Sequence, residues 1–100
     1  MAILNKVQLI GNLGNDPELK GKKDNEVISF SVATKDTHNP DAAPEWHKIV
    51  AFKKQAVTIA EHMKKGSAIY LEGRLKTKKY EKDGHTFYLT EIMLNHFQFI

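Results

Sequence analysis

The sequence predicts an all-β domain with one helix, and three observations carry that prediction. Apolar residues alternate with period two over short stretches, as in Ile28-Ser29-Phe30-Ser31-Val32. One stretch only, Lys53 to Lys65, shows helical spacing, with Ala56, Ile59, Ala60 and Met63 three and four residues apart. Gly, Pro, Asn and Asp punctuate the gaps between stretches. The 100 residues make one domain, 1–100, and 41% hydrophobic residues suffice for a small core.

The elements follow in order. Residues 3–10 alternate in part, with Ile3, Val7 and Leu9 on one side and Lys6 and Gln8 on the other. Gly11 to Pro17 then bends or ends that strand, and residues 18–25 form a polar turn. Residues 26–34 make the second strand, with Ile28, Phe30 and Val32 inward. The loop 35–44 holds Pro40 and Pro44 and is irregular. The third strand is Trp46 to Phe52, and the helix runs from Lys53 to Lys65 with Gly66 as its C′ residue. Residues 67–80 form a long strand bent at Gly73, Lys82-Asp83-Gly84 turns a hairpin, and 86–97 is the last strand. Three strands, a helix and two strands fit an OB-fold: a five-stranded Greek-key barrel with the helix between strands 3 and 4. A β-grasp or SH3-like barrel would place or omit the helix differently.

Composition narrows function. No cysteine means no disulfide, thiolate metal site or Cys nucleophile. None of the five His has a spacing that marks a metal site, and no phosphate-binding loop is present. No enzyme, cofactor or metal is expected. No apolar run approaches the roughly 20 residues of a membrane span, and the start does not read as a signal peptide, so a soluble, cytoplasmic protein is expected. The net charge is +3, from 15 Lys and Arg against 12 Asp and Glu. It permits a nucleic-acid partner without demanding one.

Two strand faces point to that partner. Parity puts Trp46, Lys48, Val50 and Phe52 together, opposite His47, Ile49 and Ala51. Parity likewise aligns Arg74, Lys76, Lys78 and Tyr80, with Tyr70 on the same side. Rings beside regularly spaced cations suit a single nucleic-acid strand: bases stack on rings and phosphates sit near cations. Two other readings stay open at this point. Trp46 and Phe52 are core residues in one, although a core face would then bury Lys48. In the other, the lysine strand is a solvated edge.

The ordered motifs resemble one family. Asn5-Lys6-Val7, Leu9 to Glu18, Phe30 to Thr34, Glu45 to Val50, Lys65-Gly66-Ser67, Tyr70 to Tyr80 and Thr90-Glu91-Ile92 resemble, in that order, the bacterial single-stranded DNA-binding protein. The resemblance implies a homotetramer, or a dimer, that binds single-stranded DNA without sequence preference in replication, recombination and repair. It implies stacking by Trp46, Phe52 and Tyr80, with Tyr70 and His38 as further candidates, and backbone contacts from Lys48, Arg74, Lys76, Lys78 and Lys35. His38 stands where many members carry an aromatic ring, and Tyr80 where a Trp is common. His47 matches a subunit-interface position, and Asn5 is placed with it. Members usually continue into a disordered tail with an acidic tip; this chain is expected to lack it, and with it tail-mediated partners. A primosomal OB-fold dimer, and an OB module for tRNA or a protein surface, are the alternatives.

Overall fold

A computed structural model describes residues 1–100. Its elements are β1 (Val7–Leu13), β2 (Glu18–Lys20), β3 (Val27–Thr34), β4 (Glu45–Phe52), α1 (Lys53–His62), β5 (Ala68–Lys82) and β6 (His85–Phe99). The strands are ordered β1-β5-β6-β4-β3-β2, and β1 also pairs with β3. That extra pairing closes β1, β5, β6, β4 and β3 into a ring of five strands, the OB-type barrel expected from the sequence. All pairs are antiparallel except β4 with β6.

Alternation fills the barrel. Ile28, Phe30 and Val32 of β3, Ile49 and Ala51 of β4, Ile69 and Leu71 of β5, and Ile92 and Leu94 of β6 are buried together. Fully burying an Ile or Leu contributes about 1.5–3 kcal/mol, so these side chains supply the main drive to close the ring. Helix α1 adds Ala56 and Ile59, whose spacing of three puts both on one face against the barrel. It is not long and apolar enough to cross a membrane.

Four sequence expectations change. Residues 3–6 are not strand: Ile3 and Leu4 are exposed, and β1 starts at Val7. Nor does β1 end at Gly11. It runs to Leu13, changing partner from β5 to β3 at Asn12. A Cβ on Gly11 would collide with the Ala33 carbonyl oxygen, so glycine is what lets the strands cross at the seam. Residues 18–20, read as turn, pair with Val27–Ser29 as β2. All three are exposed, so no buried face marked them. Finally, α1 stops at His62. Met63 is extended, and Gly66 (φ +92°) is the third residue of a turn in which the Ser67 N–H donates to the Lys64 carbonyl at 3.0 Å.

The hairpin at Lys82-Asp83-Gly84 forms as expected. Asp83 (φ 53°) and Gly84 (φ 78°) both occupy the left-handed region that a two-residue type I′ turn requires. Beyond Gly73, β5 leaves the core and stays exposed to its end, so β5 and β6 project as an arm.

Candidate nucleic-acid interface

The barrel brings the two predicted faces into one surface. Strand β6 lies between β4 and β5. Val50 pairs with Met93, which pairs in turn with Arg74, so the outward residues form continuous rows across three strands. Strands pack about 4.8 Å apart, which sets β4 and β5 roughly 10 Å from each other. Trp46 is 60% exposed and Phe52 44%, while Ile49 and Ala51 are buried. Of the strand's outward residues only Val50 is covered. Lys48 keeps its amine at the surface.

Each ring has a structural support. Trp46 pairs with Ala33 on β3, and its ring lies against Gly14, where any Cβ would collide with Cζ3. Phe52 ends β4 at the N-cap position of α1, and Lys53 (φ 56°) makes the kink from strand to helix. Tyr80 stacks on Phe87 across the arm, with centroids 5.4 Å apart and planes 20° apart. The sequence reading gave Phe87 no role. The turn could have found it: closing at Asp83-Gly84 puts Phe87 opposite Tyr80.

Glu91 was also missed. It is the chain's one buried charged residue, 3% exposed, and it points outward from β6 between the two cationic strands. Its Oε1 is 3.0 Å from Lys78 Nζ and its Oε2 is 3.5 Å from Lys48 Nζ. Burial pushes its carboxyl up, but the close contact and charge of Lys78 and the charge of Lys48 outweigh burial and hold it below the ordinary range. The Lys78 contact is an ion pair off the best hydrogen-bond angle, which leaves Oε1 poorly satisfied. Arg74 Nη1 donates to Asn95 Oδ1 at 3.3 Å. Lys76 and Lys35 have no carboxylate partner.

The remaining predicted residues lie elsewhere. Lys35 and His38 are exposed in the loop joining Thr34 to Glu45, at the Trp46 end of the surface. The His38 N–H donates to Asp36 Oδ1 at 2.8 Å. Tyr70 sits on the part of β5 that pairs with β1. Its hydroxyl donates to Glu72 at 2.6 Å and accepts from Gln8 at 3.1 Å, while Lys6 pairs with Glu72 at 3.3 Å. The hydrogen bond to Glu72 raises the Tyr70 hydroxyl above its ordinary value; that bond and the Lys6 contact hold the Glu72 carboxyl low. His47 is half-buried, with Nε2 2.9 Å from Thr34 Oγ1. Asn5 acts like one more strand residue: its amide donates to the Leu75 carbonyl and accepts from the Leu75 N–H, both at 2.8 Å.

Comparison with known proteins shows the family. Residues 4–100 match the model of the Single-strand binding protein family. The chain is 44% identical over 108 residues to Single-stranded DNA-binding protein 1 of Xylella fastidiosa (strain 9a5c), covering 100% of this chain and 79% of that protein. It is 40% identical over 105 residues to Single-stranded DNA-binding protein 1 of Chlorobaculum tepidum, covering 97% of this chain and 65% of that one.

Proposed function

The chain belongs to the single-strand binding protein family, which is not an enzyme family, and on that premise we propose how its outward surface holds a strand. Bases of single-stranded DNA stack on Trp46, Phe52 and the Tyr80–Phe87 pair. Phosphates run near Lys48, Arg74, Lys76 and Lys78, with Lys35 and His38 contacting the strand from the loop. The observation that carries this reading is the exposure of Trp46, the chain's only Trp, in one continuous surface with four cations. A large ring held out of the core while Ile49 and Ala51 fill it is explained by a flat ligand.

The mechanism has two parts. Cations draw the strand in and release counterions, so log K falls linearly with log salt, by about 0.7 per phosphate for single strands. Rings then hold the bases, each stack worth roughly 1–3 kcal/mol. Every base has a π-face, so sequence preference is slight. Tyr70 is the exception among the candidate rings: its hydroxyl is engaged with Glu72 and Gln8, which favours a supporting part over stacking.

Four copies of the chain form the working unit, with His47 and Asn5 near subunit contacts. A net charge of +3 makes one copy a weak binder, and several copies on one strand gain through effective concentration. Asn5 serves such a contact indirectly, since its amide already holds the β5 edge. Protection of exposed strands in replication, recombination and repair is the role that this binding fits.

The test is a titration of a dT oligonucleotide, the matching RNA and a duplex at one salt concentration. The single DNA strand is expected to bind best. Equal or tighter binding of RNA or duplex would overturn the reading.

A further inference from the structure

Glu91 is unexplained by stacking or by phosphate attraction. A carboxylate in the middle of a surface built to hold phosphates repels the ligand. Stability alone does not call for a carboxylate here, because buried ion pairs are often replaced by apolar residues at no cost. Its outward neighbours on β6 are Leu89 and Met93, so an apolar residue would continue the row.

The geometry offers another account. Lys48 on β4 and Lys78 on β5 approach the carboxylate of β6 from opposite sides, at 3.5 and 3.0 Å. Lys76, directly across from Glu91 in register, is not paired with it. Two ammonium groups are thus fixed and one is left free. The fixed pair still has donors for a phosphate, since each ammonium carries three. Their combined charge with Glu91 is +1, from two lysines and one carboxylate.

We propose that Glu91 is an internal counter-charge of the DNA-binding surface: it positions the Lys48 and Lys78 amines and holds the surface's affinity for phosphate below what its lysines alone would give. This rests on the reading of that surface given above. Pre-positioning lowers the ordering cost when a phosphate arrives. Partial neutralisation lowers the number of counterions released, because the smaller net charge facing the phosphates displaces fewer of the cations condensed on the strand.

The test uses the whole chain and a fluorescently labelled dT oligonucleotide, titrated by anisotropy from 50 mM to 1 M NaCl. Glu91→Gln keeps the shape and removes the charge. Its slope of log K against log salt is expected to steepen by about 0.7, one phosphate's worth. If the two curves meet near 1 M, the variant binds about eightfold tighter at 50 mM. An unchanged or shallower slope would overturn the proposal. A second pair needs no change at Glu91. Lys78→Gln and Lys76→Gln remove the same formal charge, but the first leaves Glu91 with Lys48 alone. Net charge falls equally in both, so a larger loss for Lys78→Gln is expected from the positioned amine it removes, and an equal or smaller loss would overturn the positioning. A wild-type chain that fails to bind dT would instead refute the underlying assignment of the surface.

Discussion

Trp46 is held outward by its neighbours. Gly14 leaves room for the ring, and Ile49 and Ala51 already occupy the interior. Replacing Trp46 by Ala should weaken dT binding by about 1–3 kcal/mol, measured by anisotropy of a labelled strand, with little change in melting temperature. Gly14→Ala tests the support itself. Its Cβ displaces the ring, so the Trp46 emission maximum shifts and binding weakens, by about 1 kcal/mol if one stack is partly lost. The exposure of Trp46 was legible in the sequence through Lys48, which shares its face and resists burial. Glu91 was not legible. Thr90-Glu91-Ile92 reads locally as an ordinary alternating strand, and the carboxylate is buried only because β6 comes to lie between two lysine-bearing strands.

Among the elements, the β5–β6 arm carries half of the proposed site and little of the core. It is shaped by its turn, by the Tyr80–Phe87 stack and by Asn5 on the β5 edge. Asn5→Ala removes both hydrogen bonds to Leu75. Hydrogen exchange at the Leu75 amide should then speed up, as expected for lost bonds worth about 1 kcal/mol each. Changing Tyr80 and Phe87 to Ala singly and together should give a coupling of about 0.5–1.5 kcal/mol in stability, the worth of a stacked pair beyond its burial. The long strands, the hairpin and the helix were readable from period and turn chemistry. The short strand β2 was not, because backbone pairing to β3 creates it and none of its side chains is buried. The passage of β1 through Gly11 escaped for a related reason. A glycine reads as a break until the close approach of Ala33 is known.

For the whole molecule, charge decides how the fold responds to pH and salt. Glu91 and Glu72 both have carboxyls held below their ordinary range. Such groups stabilise the fold above the unfolded carboxylate value, roughly 4.3, and that stability is lost as pH falls through the lower folded value. The melting temperature should therefore drop as pH falls below about 4.3, and drop less for Glu91→Gln, which lacks one of the two groups. Assembly is the second property at this scale. Light scattering is expected to give the mass of four chains, and a mass of one would refute the tetramer. The barrel's closure was legible only as an order of elements, three strands, a helix and two strands; the β1–β3 and β4–β6 pairings that seal it join residues far apart in sequence. In the proposed binding mode, bases stack on the surface of β4, β6 and β5. Because Trp46 is the only Trp, its fluorescence during titration with dT tests that stacking most directly. Strong quenching that saturates together with the anisotropy of the bound strand is the predicted result. A strand that binds while Trp46 emission stays unchanged would contradict it.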